Sequence, residues 1–106
     1  MKDYEFHPDA LDEMRKAGAF YDGRRTGLGD ELLDEIHRKI AWICGGHTSG
    51  SPWIHNTRLQ TVRRFSYGIV YREFPNRIYI IAIYYLTRRE DYWVHRLDDL
   101  PDEIES

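Results

Sequence analysis

The pattern of hydrophobic and polar positions divides the chain into a helical first half and a strand-rich second half. Apolar residues recur at spacings of three and four from Leu11 to Tyr21 and from Leu28 to Ile43, which is the period of an amphipathic helix. From Arg58 onwards the period changes to two, the alternation of a β-strand. We therefore predict two helices followed by a sheet.

Turn-forming and capping residues predict where these elements begin and end. A short first strand is expected at residues 4–6, followed by a helix that opens at His7-Pro8-Asp9, because proline and acidic residues are favoured in a first turn. Asp22-Gly23 is expected to end this helix near Tyr21, and Gly45-Gly46 to end the second helix. The short connection between the helices favours an antiparallel hairpin.

The second half predicts a three-stranded antiparallel meander over residues 58–64, 69–74 and 77–86, after a loop at 45–57. Both faces of the last strand are apolar, so one face is expected to pack on the helices and the other to need a partner. Strict alternation places four residues on that second face: Tyr79, Ile81, Ile83 and Tyr85.

These elements predict an α+β fold: an N-terminal strand, a helical hairpin, the antiparallel meander and a short C-terminal helix. The length of 106 residues fits one domain, which we place at residues 1–97. Residues 98–106 contain five acidic and no basic side chains and are expected to form a flexible tail. This tail is either unattached or folded back on the basic part of the sheet.

The charge is unevenly distributed along the chain. A net charge of −3 argues against a nucleic-acid-binding protein, yet residues 58–97 hold eight arginines, no lysine and three acidic residues. Arginine is suited to bidentate contacts with phosphate or carboxylate groups. A solvated sheet face explains the same charge, so both interpretations stay open.

Few residues point to thiol, metal or membrane chemistry. The single cysteine, Cys44, ends an apolar helical stripe and suits a small core residue in a reducing compartment. The charged N-terminus does not fit a secretion signal, and the apolar run 78–86 is too short to cross a membrane, so we expect a cytoplasmic protein. His47 and His55 lack further ligands at metal-binding spacing, and we expect no metal and no cofactor.

Two motifs carry a resemblance to a known family. The string TVRRFSYGIVYR at residues 61–72 resembles the RRFPYGIVYR signature of RelE/ParE toxins, with Ser66 where proline is usual. The string TRREDYW at residues 87–93 resembles the closing RRxPxYW of the plasmid-stabilisation, ParE-like branch. Together with FHPDA at residues 6–10, the likeness spans about residues 4–96.

The resemblance implies the toxin of a type II toxin–antitoxin system, a growth inhibitor neutralised by a cognate antitoxin. In such pairs a helix or extended arm of the antitoxin lies along the toxin's sheet and helices. This agrees with the apolar second face of the last strand, since exposed patches of this kind mark partners. We expect the antitoxin or the target to contact eight residues: Arg63, Tyr79, Ile81, Ile83, Tyr85, Arg89, Trp93 and Arg96.

The family includes RNA endonucleases, gyrase poisons and members with no known target. A metal-free ribonuclease needs cations for the phosphate and an acid–base pair, for which the catalytic candidates are Arg64, Arg88 and Tyr92. Arg88 and Tyr92 are four residues apart and share one side if the chain is helical there. The oligomeric state of the free toxin stays open.

Other positions argue against RNA cleavage. The resemblance implies two lysines and an arginine in the RNA-cleaving branch at positions where this chain has Leu59, Thr61 and Gly68. Loss of such donors costs transition-state stabilisation. We therefore predict a protein that binds a macromolecular target such as DNA gyrase. A ribosome-dependent or free mRNA endonuclease and an inactive family member are the alternatives, and whether the chain is an enzyme stays open.

Several of these side chains also have purely structural interpretations. Arg63 and Arg64 are predicted on opposite faces of one strand, so one of them is expected to brace a carboxylate near the C-terminus or the acidic tail. Trp93 is expected to pack the C-terminal segment onto the sheet. His95 is either an acid–base group or an exposed residue at the end of a helix.

Overall fold

The computed structural model describes residues 2–46 and 50–101. Two helices follow a first strand, and the remaining strands come after them, with three short 3-10 helices at Ile54–Asn56, Arg63–Phe65 and Val94–Asp99. The strands and helices are β1 (Asp3–Phe6), α1 (Pro8–Arg24), α2 (Leu28–Cys44), β2 (Ser51–Trp53), β3 (Thr57–Val62), β4 (Tyr67–Glu73) and β5 (Arg77–Tyr85). The predicted α+β class is confirmed.

Helix α1 begins where the sequence predicts and ends later. The ring nitrogen Nδ1 of His7 accepts the backbone N–H of Asp9 at 3.1 Å and caps the helix. The helix runs through Asp22-Gly23 to Arg24, so its predicted end near residue 21 is wrong. A glycine in an exposed helix costs only about 1 kcal/mol, and the Asp22 carboxylate accepts the N–H of Gly29 in α2 at 2.8 Å.

Helix α2 follows its prediction and packs against α1 and the sheet. Its apolar stripe of Leu32, Ile36, Ile40 and Ile43 is buried, and Cys44 is buried behind it. The two helices approach closely, because a Cβ on Gly29 would collide with the carbonyl oxygen of Gly18. In the described part of the chain, no helix has the length and apolar character needed to cross a membrane.

The sheet has five strands in the order β1-β5-β4-β3-β2, one more than predicted. β1 lies parallel to β5, and the other neighbours are antiparallel. The strand missed by the sequence analysis, β2, lies within the segment predicted as a loop. It occupies the edge of the sheet, where Pro52 is tolerated.

Strand β3 ends at Val62, so the prediction that Arg63 and Arg64 lie on opposite faces of one strand is wrong. Both arginines belong to the 3-10 turn into β4. Buried Phe65 anchors this turn, and Ser66 closes it with a left-handed backbone at φ 56°. The two arginines therefore project from a turn at the end of the sheet.

A β-bulge changes which face of the sheet the side chains of β5 point to. Val70 of β4 pairs with Ala82, whereas its neighbour Tyr71 pairs with Ile80, so Ile81 has no partner in the ladder. The extra residue reverses the alternation, which places Ile83 on the helix side together with Ile80. The predicted strict alternation is wrong beyond this point.

Apolar side chains bury both faces of the sheet. The helices cover one face, and the other face forms a second core around Trp93, which is fully buried. The chain's own C-terminal segment covers this second face, so the expectation that it needs a partner is wrong. From this segment Tyr92, Val94, Leu97 and Leu100 pack around Trp93, and the other side chains packed against this core are Trp53, Ile54 and Leu59.

The predicted short C-terminal helix is a 3-10 helix, Val94–Asp99. The packed chain continues to Leu100, three residues past the predicted domain boundary. Residues 102–106 of the predicted acidic tail lie outside the described residues, as does His47.

Candidate functional site

The edge of β5 is completed by two charged side chains. β1 pairs with β5 only as far as Ile80, which leaves the outer edge of β5 without a neighbouring strand beyond that residue. There the Glu13 carboxylate accepts the N–H of Ile83 at 3.1 Å, and Arg96 donates to the carbonyl of Ile81 at 3.0 Å. Because buried backbone groups need partners, Glu13 and Arg96 act in place of a strand.

Several donors converge on the Glu13 carboxylate. Arg96 donates through both terminal nitrogens, at 2.8 and 3.0 Å, and the Tyr92 hydroxyl donates at 2.5 Å. Arg88 adds a second cationic group at 3.9 Å. The Glu13 and Arg96 side chains are only 16% and 7% exposed, so this is a largely buried, charge-assisted cluster. We call Glu13, Arg88, Tyr92 and Arg96 the Glu13 cluster.

The electrostatics of the Glu13 cluster keep Tyr92 protonated. Burial, and then the hydrogen bond to Glu13, raise the pKa of the Tyr92 hydroxyl far above its ordinary value. Burial lowers the pKa of Arg96, but the hydrogen bond and charge of Glu13 outweigh it, and the pKa of Arg96 is raised overall. Tyr92 is therefore a hydrogen-bond donor and cannot accept a proton as a general base near neutral pH.

Two of the three predicted catalytic residues lie together. The guanidinium carbon of Arg88 lies 3.9 Å from the centre of the Tyr92 ring, so these residues share one side as predicted, although the chain between them forms turns. Arg88 is the exposed cation of the cluster, and Arg89 beside it pairs with Asp91 at the surface.

The third predicted catalytic residue lies in a different group of contacts. Arg64 donates to Glu31 at 2.6 Å and stacks on Phe65, and its side chain is 53% exposed. The hydrogen bond from Arg64 lowers the pKa of Glu31. The carboxylate that Arg64 braces is thus on α2 and not near the C-terminus as expected. Arg64 shares no described contact with Arg88 or Tyr92, and Arg63 is exposed.

Most of the apolar residues expected to contact a partner are buried in the described chain. Tyr79, Ile81 and Trp93 belong to the second core, which confirms that Trp93 packs the C-terminal segment onto the sheet. Ile83 faces the helices, and Tyr85 is exposed at the end of β5. These residues therefore do not form the exposed apolar surface that strict alternation predicted.

Apolar side chains surround Leu59 and Gly68, two of the three positions at which the resemblance implies charged residues in the RNA-cleaving branch. Leu59 packs against the second core, and Thr61 pairs with Gly68 across β3 and β4. A Cβ on Gly68 would lie 2.8 Å from Leu59 and 2.9 Å from Leu86. An arginine at position 68 would have to displace these two side chains.

The roles of Glu13, His7 and Asp99 were not predicted from the sequence. His7 is buried, and because its Nδ1 accepts an N–H, its Nε2 carries the proton and donates to Asp99 at 2.8 Å. This bond joins the start of α1 to the C-terminal segment. The His-Pro-Asp start of the helix signals the cap, whereas nothing in the sequence signals the contact with Asp99.

The structure gives less support to a chemical role for the other histidines, as an acid–base group or as metal ligands. His95 is exposed, as one of its two interpretations expects. Among residues 2–46 and 50–101, no three histidine, cysteine or acidic side chains are grouped closely enough to hold a metal ion. The Glu13 cluster brings four ionisable side chains together and is the candidate site.

Comparison with solved structures gives two matches to this fold. A chain of the chromosomal ParDE TA system from P. aeruginosa is 15% identical, with a TM-score of 0.68 over 78% of this chain and 94% of that one. The isolated E. coli RelE toxin is 16% identical, with a TM-score of 0.61 over 94% of this chain and 100% of that one. No protein-family model and no curated protein gives a significant match. The chain has the fold of the RelE and ParDE structures, and the RelE/ParE resemblance is confirmed at the level of the fold.

Proposed function

We propose that this chain is the toxin of a type II toxin–antitoxin pair and that it acts by binding a macromolecular target, such as DNA gyrase, without cutting RNA. The fold shared with a ParDE chain and with RelE supports the first part of the proposal, together with the two sequence motifs. A cognate antitoxin then neutralises the toxin, and both act in the cytoplasm, where their targets are.

One observation carries the second part: the buried hydrogen-bond donors of the Glu13 cluster are already bound to the Glu13 carboxylate. Arg96 and Tyr92 both donate to this carboxylate, and the raised pKa of Tyr92 removes it as a base. An anionic substrate would have to compete with a covalently attached, partly buried anion. Catalysis by electrostatic stabilisation needs free donors aimed at the reacting group, and in this cluster only Arg88 is exposed enough to serve as one.

The test is inducible expression of the wild type and of Tyr92→Phe, with growth followed in both. Target binding predicts that both proteins stop growth and that both purified proteins inhibit DNA supercoiling by gyrase. Arg63→Glu, a charge reversal at an exposed turn, is the companion variant that probes the target contact. Growth arrest by the wild type that disappears in a folded Tyr92→Phe protein would contradict the proposal.

The contact between Arg88 and Tyr92 favours mRNA cleavage as the second candidate function. Arg88 is half exposed and stacks on the tyrosine, so its guanidinium is accessible to a phosphate. This candidate predicts that Tyr92→Phe and Arg88→Ala abolish toxicity together. Gyrase activity would then be unaffected by any of the variants.

A further inference from the structure

A cavity lies at the end of the sheet where β3 begins and β4 ends, away from the Glu13 cluster. It has a volume of about 470 Å³ and lies between the turn from β2 into β3 and the turn from β4 into β5. Cavities that hold small molecules measure about 300–1,000 Å³, so this one is large enough for a ligand. We call it the sheet-end cavity, and its lining includes Pro52, Trp53, Arg58, Arg72 and Pro75.

Part of the lining of the sheet-end cavity is apolar. Pro52 and Pro75 are exposed, and Trp53 is half-buried against the second core. All three side chains contain flat rings, and a planar ligand ring can pack on such surfaces. This part of the cavity therefore favours a ligand that carries a planar ring.

The charged part of the lining has an excess of positive charge. Lys2 is neutralised by Glu73 at 2.7 Å and also donates to the carbonyl of Phe74 at 2.8 Å. Arg58 and Arg72 form no ion pair with a carboxylate among the described residues. Their hydrogen bonds go to backbone carbonyls, which carry no net charge. Two guanidinium charges are therefore left for a ligand.

The hydrogen bonds of the two arginines order their guanidinium groups without using all of their donors. Arg72 donates through Nη2 to the carbonyl of His55 at 2.6 Å and through Nε to that of Asn56 at 3.2 Å, which leaves its Nη1 without a partner in the described chain. His55 and Asn56 form the turn into β3 with left-handed backbones, at φ 56° and 60°. Arg58 uses only Nη1, which donates to the carbonyl of Gly50 at 2.8 Å. Because both groups are already ordered, a ligand that binds them costs less side-chain entropy.

The strand register brings the two arginines to the cavity from opposite faces of the sheet. Arg58 of β3 is paired with Tyr71 of β4, and Arg72 follows Tyr71, so its side chain leaves the strand on the other face. Both arginines line the cavity because it lies where the strands end. A ligand in the sheet-end cavity can therefore meet one guanidinium group from each side.

We propose that the sheet-end cavity binds a phosphate monoester that carries a planar ring. A phosphate monoester has a charge of about −1.5 to −2 at neutral pH and three acceptor oxygens, which match two guanidinium charges from two sides. A carboxylate has one charge and two oxygens and matches them less well. The ring of the ligand packs on Trp53 and the two prolines. This site is separate from the Glu13 cluster and does not depend on the proposed function.

The test is an NMR titration of the isotopically labelled full chain with phenyl phosphate, which is a phosphate monoester on a planar ring. The chain has three tryptophans, and the spectrum of Trp53→Phe identifies the indole N–H signal of Trp53. The signals of Trp42 and Trp93 are internal controls, because these residues do not line the cavity. Inorganic phosphate tests the charge without a ring, and benzoate tests a ring with a single negative charge.

Three variants show whether the two arginines bind the ligand. Arg58→Gln and Arg72→Gln each remove one guanidinium group, and Arg63→Gln is the matched control, an exposed arginine beyond the other end of β3. We expect phenyl phosphate to shift the Trp53 signal saturably and to bind Arg58→Gln and Arg72→Gln at least about 10-fold more weakly, since each loses a hydrogen bond between charged groups. Arg63→Gln is expected to bind like the wild type. Arg58→Gln tests the site even if Arg72→Gln, which also loses the support of the turn, does not fold.

Three results would overturn the inference. The first is the absence of a saturable shift of the Trp53 signal up to about 10 mM phenyl phosphate, a concentration at which even weak specific sites fill. The second is binding that Arg58→Gln leaves unchanged, since the ligand would then lie elsewhere. The third is binding of benzoate or inorganic phosphate as tightly as phenyl phosphate, because the site would then recognise only the ring or only the charge.

Discussion

Two glutamates, one on each helix, each bind two arginines, but they differ in how far they are exposed to solvent. Glu31 on α2 accepts from Arg64 at 2.6 Å and from Arg25 at 3.1 Å, and these side chains are exposed. Glu13 on α1 is bound by Arg96 and approached by Arg88, and it is mostly buried. The shorter ion pair is thus the exposed one, where water and salt screen the charges.

This difference shows that burial and contacts with backbone groups decide how much such a glutamate contributes to stability. The length of its ion pair matters less. Glu13 and Arg96 also satisfy backbone groups at the edge of β5, and Tyr92 donates to the same carboxylate. Glu31 binds only side chains at the surface. We therefore expect changes at the Glu13 cluster to affect folding strongly and changes at Glu31 to have little effect.

The largest expected effect is that of Arg96→Met. The substitution leaves the Glu13 carboxylate without its paired cation and the Ile81 carbonyl without its donor. Breaking a buried ion pair from one side costs about 3–5 kcal/mol, so the free energy of unfolding should fall by that amount. Urea denaturation measures the loss, and a change below about 1 kcal/mol would show that the cluster is not what holds the edge of β5.

A smaller loss is expected for Tyr92→Phe, which removes one hydroxyl and keeps the ring on Tyr84. A hydrogen bond to a charged group contributes about 1.5–3 kcal/mol, and Glu13 keeps its other donors. The same urea titration measures the difference from the wild type. Equal stability of the two proteins would mean that the hydroxyl does not bind Glu13 in solution.

Alkaline pH tests the same hydrogen bond without a substitution. The pKa of Tyr92 is raised in the folded chain, so the folded state keeps its proton at a pH where the unfolded chain, with a pKa of about 10, loses it. Stability from this group is therefore complete below about pH 10 and is lost as the pH rises further. Unfolding measured across this range should give a shallower decline for Tyr92→Phe than for the wild type.

The smallest expected effect is that of Arg64→Met, the exposed counterpart of Arg96→Met. The two variants make the same chemical change, and both remove a partner of a glutamate. The urea midpoint of Arg64→Met should match that of the wild type within error, at low and at high salt. If Arg64→Met lowered the free energy of unfolding as much as Arg96→Met does, the two glutamates would contribute equally to stability, contrary to this prediction.

Much of the fold is predictable from periodicity because long elements repeat their signal. The stripe from Leu28 to Ile43 and the alternation after Arg58 place α2 and the meander correctly. Short or irregular features lack that repetition. β2 has three residues and contains a proline, and the bulge at Ile81 is hidden because apolar residues stand on both faces of β5.

The candidate site is less predictable than the fold, since its contacts join distant parts of the chain. Arg88, Tyr92 and Arg96 are recognisable from their motif, but Glu13 is 83 residues away from Arg96 and resembles any acidic residue early in a helix. The covering of the second sheet face by Trp93 and its neighbours also depends on where the chain turns after β5. Periodicity carries no information about that turn.

The measurement that most directly tests the central claim is RNA cleavage by the purified protein, with and without ribosomes. With Arg96 and Tyr92 held by Glu13, we predict that the wild type and Tyr92→Phe leave the RNA equally intact under both conditions. If the wild type cleaves RNA and a folded Tyr92→Phe protein does not, the proposal that the chain acts without cutting RNA is contradicted. The chain would then be a ribonuclease.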